Sequence, residues 1–443
     1  MTSRVNQNAA EAAQAVITRL FQMRQLWGDA ASTYFEPQQF RLALQSCIMT
    51  SRTVTFILQS NKSSFADFDT WYASYQARWN QDPIMRWARD SRNKIEKQGD
   101  LETHSQVRAE IIASYMSEGP RTDWSNVSLS ASPRAIYKTI PQKYFVPHIV
   151  EHGTLLIERR WIANDLPDTE ILEALGHVYG EFCTAIIDLL EANELPILPG
   201  LTKSRPDAMG ALAMNRALYL SMKDGSVRGH RFFRKPIERP SKKDEARVMK
   251  RYRKAGAGWG RLKNAKTLRD IAEAYFDNAR AVLKSDGCHQ NMTFLFKDRF
   301  PIDMIRTDHP DRASRYVLMR DLARLARIAG ADAVIMLGEA WSAKPEDLPP
   351  SGFAVEAEQR GEVLFLNAAN SKGESFAMEA VFERRRFGSK KIKIIHPTEI
   401  TDEGFQFLFL PFFEEWDCVD QDRLNAAFEQ MEEFGLQSPD VGS

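Results

Sequence analysis

Long apolar runs are largely missing from this 443-residue chain. The longest, Ala333 to Leu337 and Phe407 to Phe413, fall far short of the ~18 to 20 residues that a membrane-spanning helix needs, so no membrane partner is expected. Cysteine is scarce: Cys47, Cys183, Cys288 and Cys418 stand far apart, with none of the close pairs of a zinc knuckle or a redox dithiol, and they read as free thiols, mostly buried. The opening Met-Thr-Ser-Arg-Val-Asn-Gln-Asn has no charged-then-apolar block of a secretory leader, which points to the cytoplasm. Net charge is also absent, with 59 Lys and Arg against 59 Asp and Glu. The chain as a whole is therefore not a polycation.

No complete catalytic or cofactor signature is present. Gly256-Ala257-Gly258-Trp259-Gly260 lacks the Lys-Ser/Thr ending of a phosphate loop and has no strand before it, so it reads as a hinge. No helix carries a paired-histidine zinc motif, and no metal or cofactor is expected. The chain reads as a binding protein more readily than as an enzyme.

What is present is ordinary globular composition, 43% hydrophobic and 27% charged, over a length that one core rarely organises. The pattern predicts an α+β protein in three parts. Residues 1–118 read as a helical bundle, with Ile17, Leu20, Phe21 and Trp27 on one helix and Phe65, Phe68, Trp71, Tyr72, Tyr75 and Trp79 stacking along another. A fifth helix is expected from Leu101 to about Met116. Residues 119–266 read as a linker, a strand from Thr154 to Trp161, a long helix from Asp168 to Asn193 and a basic arm. Residues 267–443 read as an antiparallel sheet with flanking helices and an acidic tail; strands are expected at 292–296, 333–337, 362–366, 375–383, 391–395 and 405–410.

Charge is unevenly spread despite its zero sum. Between Arg228 and Lys266 fifteen Lys or Arg stand against Glu238, Asp244 and Glu245, with Phe232, Phe233, Tyr252 and Trp259 among them. Arg247, Lys250, Arg251, Arg253 and Lys254 form its densest part. Cations neutralise phosphates and rings stack on unpaired bases, so this segment is a nucleic-acid candidate. A solvated face explains the same charge run, as does docking on the acidic residues from Glu414 to Asp440 of the same chain or of a second copy, which would make this a non-enzymatic interaction protein that self-associates.

The most informative stretch runs from Asp82-Pro83 to Gly99. Asp82 and Pro83 are start signals, Gly99 is a stop, and Ile84, Trp87, Ala88 and Ile95 make one apolar face. Arg92-Asn93 is followed by Lys97 on the polar side. This row resembles the RNxxxH signature of HEPN domains, which are helical bundles of this size. The resemblance covers residues 9–118. It implies a homodimer, contact with RNA or nucleotides, and metal-independent ribonuclease chemistry of the kind found in bacterial stress and phage-defence proteins. Within it Arg92 takes the phosphate-binding position and Asn93 that of its polar companion. Lys97 stands where the family has histidine, and an ammonium with a pKa near 10.4 is a poor base at neutral pH, so binding survives that departure better than cleavage. His104, beyond the glycine, is a stand-in for the missing proton carrier. A plainer arrangement uses the same residues, since Arg92 and Glu96 are four apart and can pair on the helix surface.

Two further constellations lie near the end. Asp308-His309-Pro310-Asp311 could gather an imidazole and two carboxylates, and Glu339 follows the apolar strand at 333–337. Together they suggest a small-molecule enzyme site. The simpler role for Asp308 or Asp311 is to cap the following helix.

Overall fold

A computed structural model describes residues 2–433 apart from 100, 102, 117–130, 204–216, 229–230, 237–240, 253–260, 263, 309–310, 350–353, 386–390 and 403. The chain is α+β and divides into two units. The first comprises Met1–Ile111, Arg121–Phe145 and Leu155–Val227; the second comprises Ile112–Pro120, Val146–Thr154 and Arg228–Ser443. The middle third of the sequence is thus shared between them.

In chain order up to residue 228 the elements are α1 (Thr2–Ser32), α2 (Pro37–Ser60), α3 (Phe68–Gln81), α4 (Pro83–Gln98), β1 (Thr103–Ile112), α5 (Pro133–Lys138), α6 (Pro147–His152), β2 (Thr154–Ala163), β3 (Leu166–Glu170), α7 (Ile171–Ala192), β4 (Ala217–Ser221) and β5 (Val227–Arg228). The core of the first unit is helical. Ile17, Leu20 and Met23 of α1, Phe40, Leu44 and Ile48 of α2, Tyr72 and Trp79 of α3, Trp87 of α4, and Leu175, Val178 and Phe182 of α7 form one buried cluster. Each fully buried side chain of this size stabilises the fold by about 1.5–3 kcal/mol. Two indoles fix the layers: Trp27 Nε1 donates to Leu172 O at 2.8 Å, and Trp161 Nε1 to Tyr34 O at 2.9 Å.

The expected fifth helix is instead strand β1, which pairs with β2 in a sheet ordered β1-β2-β4-β5, with β3 also on β2. Gly99, at φ +99°, ends α4 in a backbone conformation that side chains resist. Beyond it Ala109, Glu110, Ile111 and Ile112 are all buried, so no clean two-residue alternation marks the strand in the sequence. The bundle is completed by α7 from far along the chain. That helix begins where Glu170, itself buried, accepts from Leu172 N at 2.9 Å and Glu173 N at 3.1 Å.

The second unit continues with β6 (Arg231–Pro236), α8 (Lys242–Tyr252), α9 (Leu268–Asp286), β7 (Met292–Lys297), β8 (Phe300–Asp308), α10 (Arg312–Ala329), β9 (Ala333–Ser342), β10 (Gly361–Asn370), β11 (Ser375–Arg384), β12 (Ile392–Ile395), β13 (Glu399–Thr401), α11 (Leu410–Glu415) and α12 (Gln421–Glu433). Its strands form one sheet in the order β12-β11-β10-β9-β7-β8-β6, with β13 on β11, and the paired strands whose register is resolved are antiparallel. Helix α9 covers one face through Phe276 and Leu283 against Ile335, Leu337, Leu364 and Leu366. Helices α10 and α11 cover part of the other through Leu318, Leu322, Phe412 and Phe413 against Val334 and Ile305. Burial on both faces is why Ala333 to Leu337 is continuously apolar, whereas β11 alternates.

The strand expected at 405–410 is a short 3-10 turn, Phe407–Phe409, running into α11. Pro411 cannot donate to a ladder but suits a helix start, and Phe409, Phe412 and Phe413 sit at helical spacing in the core. All four cysteines are free. Cys47 and Cys183 are buried, Cys418 partly so, and Cys288 is exposed. Among the described residues no helix is long and apolar enough to cross a membrane.

Candidate functional site: an arginine-lined cleft

The α4 row is ordered within its own helix. Arg92 pairs with Glu96 at 2.5 Å and donates to Asn93 Oδ1 at 3.0 Å. Its charge is thus matched locally, as the four-residue spacing permits. Lys97 is exposed and has no ion-pair partner among the described residues. His104 lies on β1 and not on a continuing helix.

The basic arm is only partly free. Arg251 and Tyr252 both reach Asp286 at the end of α9, with Arg251 Nη2 at 2.7 Å and the tyrosine hydroxyl at 2.9 Å. Lys243, Arg247 and Lys250, at i, i+4 and i+7 of α8, are exposed on a common face. Arg253 and Lys254 lie outside the described residues, as do Trp259 and the end of the acidic tail.

A different group of cations shares a cavity. A cleft of about 290 Å³ opens between α2, α3, α4 and α7, lined by Arg52, Arg86 and Arg89, by the polar Ser51, Thr55, Gln59, Gln76 and Asn80, and by Tyr72, Trp79, Met85, Ala88, Val178 and Phe182. Helix spacing explains the assembly. On α2, Ser51, Arg52, Thr55 and Gln59 recur at three or four residues, as do Tyr72, Gln76, Trp79 and Asn80 on α3 and Met85, Arg86, Ala88 and Arg89 on α4. Only one residue, Asp82, separates α3 from α4, which keeps the start of α4 beside Asn80.

No Asp or Glu lines this cleft. Arg86 is exposed and has no ion-pair or side-chain hydrogen-bond partner among the described residues. Arg52 donates to Thr55 Oγ1 at 3.1 Å and meets no carboxylate there. Arg89 is partly satisfied by Asp90, at 2.9 Å, and by Asn80 Oδ1, also at 2.9 Å. A second neighbouring acid, Glu181, accepts from Trp79 Nε1 at 3.2 Å and is already paired with Arg78. Burial raises the pKa of the Tyr72 hydroxyl despite the nearby Arg52 and the hydrogen bond from Gln59 at 2.8 Å, so it remains a neutral phenol. Uncompensated guanidinium groups beside amides and ring edges can hold an anion that carries an unsaturated ring.

The C-terminal constellations resolve differently. Asp311 caps α10, accepting from Ser314 N at 2.7 Å, and binds Arg228 at 2.7 Å. His309 lies outside the described residues. Glu339 belongs to an ion network instead: Arg384 bridges it at 3.0 Å to Glu362 at 2.8 Å and donates to Gly287 O at 2.6 Å. No cluster of three or more metal-ligating side chains occurs among the described residues. A second cleft, of about 320 Å³, lies in this unit and is lined by Arg315 and by Glu339 and Glu379, so its charges are mixed in sign.

Sequence reading missed the first cleft because its cations lie on separate helices. The one local signal was Arg86 and Arg89, three apart, on the helix already singled out. No solved structure matches the chain. Protein ea47 of Escherichia phage lambda is 32% identical over 330 residues, which span 74% of this chain and 78% of that protein. The family model described as bacteriophage lambda protein ea47 matches residues 6–427, so the chain belongs to the phage lambda Ea47 family.

Proposed function

We propose that this protein binds nucleic acid, RNA in the first instance, in the cytoplasm, and that its N-terminal helical unit supplies the phosphate contact. The observation that carries the reading is the cleft containing Arg52, Arg86 and Arg89 with no carboxylate on its wall. Arg52 and Arg86 meet no carboxylate in this cavity and so leave neutralisation to a guest, and phosphate is one of the two anions whose geometry the guanidinium fork matches. The exposed face of Lys243, Arg247 and Lys250 offers further neutralisation without geometric selectivity. Cleavage is not part of the proposal, because Lys97 is a poor proton carrier and Arg92 is held by Glu96.

The test is anisotropy of labelled single-stranded RNA with the full chain at two salt concentrations. Binding is expected to weaken steeply with salt. The double variant Arg52→Ala/Arg86→Ala should lose about tenfold or more in affinity and flatten the logarithmic salt slope by roughly 1.4, from ~0.7 per single-strand phosphate contact. Equal affinity and slope in wild type and variant would remove the reading.

A further inference from the structure

The cleft has two chemically distinct ends. Arg86 and Arg89 project from the start of α4, where Arg89 reaches Asn80 at 2.9 Å. Gln59 and Tyr72, joined at 2.8 Å, lie at the other end. Tyr72 and Asn80 are eight residues apart on one helix, a separation of about 12 Å at the helical rise. Arg52 and Thr55, on the α2 wall, stand beside the Tyr72 hydroxyl. Trp79 supplies an aromatic floor, edge-on to Tyr72 at 6.3 Å and to Phe182 at 5.4 Å between ring centroids.

We infer that this cleft is a site for one nucleotide unit, either a free nucleoside monophosphate or the end nucleotide of a single strand, with phosphate at Arg86 and Arg89 and base at Tyr72 and Gln59. The inference rests on the nucleic-acid reading above and narrows it. Two guanidinium groups at one end, and a phenol with an amide and Arg52 at the other, match a phosphate and its base across the reach of a single nucleotide. Amide side chains of Gln59 and Gln76 present both donors and acceptors, which suits the hydrogen-bonding edge of a base. The volume, about 290 Å³, is at the low end of the ~300–1,000 Å³ of single small-ligand pockets, too small for a duplex or a stack of bases. Arg52, beside the Tyr72 hydroxyl, adds a cationic donor at the base end.

Calorimetric titration of the full chain with AMP and UMP, with adenosine and uridine, and with inorganic phosphate tests this. One of the monophosphates should bind at least tenfold more tightly than its own nucleoside and than inorganic phosphate, since each of those fills one end. The same monophosphate should displace labelled RNA. Arg86→Ala and Gln59→Ala should each weaken it about tenfold with unchanged melting temperature; if Gln59→Ala melts early, Tyr72→Phe takes its place. Monophosphate binding no tighter than that of inorganic phosphate, or indifferent to Arg86→Ala, overturns the inference. RNA binding that monophosphates do not displace overturns it and leaves the broader reading intact. Monophosphate binding without RNA binding supports the site and removes the strand reading.

Discussion

Asp82 Oδ2 lies 2.6 Å from His177 Nε2, while the other oxygen of the same carboxylate accepts from Ile84 N at 2.8 Å and Met85 N at 3.2 Å. One side chain therefore caps α4 and ties it to α7, and it stands at the mouth of the helix that carries Arg86 and Arg89. Burial opposes its charge, but the His177 contact and the two amides outweigh that and hold its carboxyl below the usual value. Its contribution is present above the unfolded carboxylate pKa, near 3.9, and is lost as pH falls through the depressed folded value.

Asp82→Ala should lower unfolding free energy by about 1 kcal/mol at pH 7, in the range of a lost N-cap. The gap between variant and wild type should begin to shrink as pH falls below the unfolded carboxylate value, near 3.9. Chemical denaturation at pH 7 and pH 3 measures it, and a gap that widens in acid would contradict the linkage.

Arg92→Ala removes a half-exposed pair within one helix. The expected cost is about 0.5 kcal/mol or less, and RNA affinity should change by less than about twofold, against tenfold or more for the cleft double variant. A loss at Arg92 as large as that would return the phosphate contact to the row that resembles the HEPN motif.

Gly338 sits on β9 directly beneath Asn291, and a Cβ there would come within 1.8 Å of Asn291 Oδ1 and 3.0 Å of its Cα. Gly338→Ala should destabilise by roughly 1–3 kcal/mol through overpacking. Adding Asn291→Ala should restore part of that and not all, because the backbone approach remains. Thermal melts of the single and double variants decide it.

Arg384 is the only cation between Glu339 and Glu362 among the described residues. Burial raises the Glu339 carboxyl above its usual range, Glu362 adds to this, and Arg384 with the His289 amide resists it. Arg384→Met should cost about 1–3 kcal/mol at pH 7, less than removal of one partner from a fully buried pair, because the network is only partly buried. Without the guanidinium Glu339 rises further, so the variant loses stability as pH climbs past the unfolded carboxyl value near 4.3. The difference from wild type should therefore be larger at pH 7 than at pH 4.

Local rules located most elements. Asp82-Pro83 and Gly99 bound α4 as expected, and the both-faces-buried strand at 333–337 is real. The errors fell where two patterns compete. Residues 109–112 are buried on both sides and hide their alternation, while Phe409, Phe412 and Phe413 satisfy a helix that Pro411 begins. The sequence neighbours of Arg92 resemble a motif, yet Asn93 and Glu96 already take its two Nη atoms and leave only Nε without a hydrogen bond. The cleft was illegible for the opposite reason: Arg52 and Arg86 are separated by 34 positions, and only the packing of α2 against α4 makes them one site.

The second unit recruits Ile112–Pro120 and Val146–Thr154 from within the stretch of chain that otherwise builds the first. Tyr115 packs edge-on against Tyr316 at 4.7 Å, and Arg320 donates to Met116 O. A gene cut at residue 228 would therefore yield two incomplete fragments, one bearing orphaned pieces and the other missing them. During synthesis, those early pieces must wait for α10 to leave the ribosome before they find their partners.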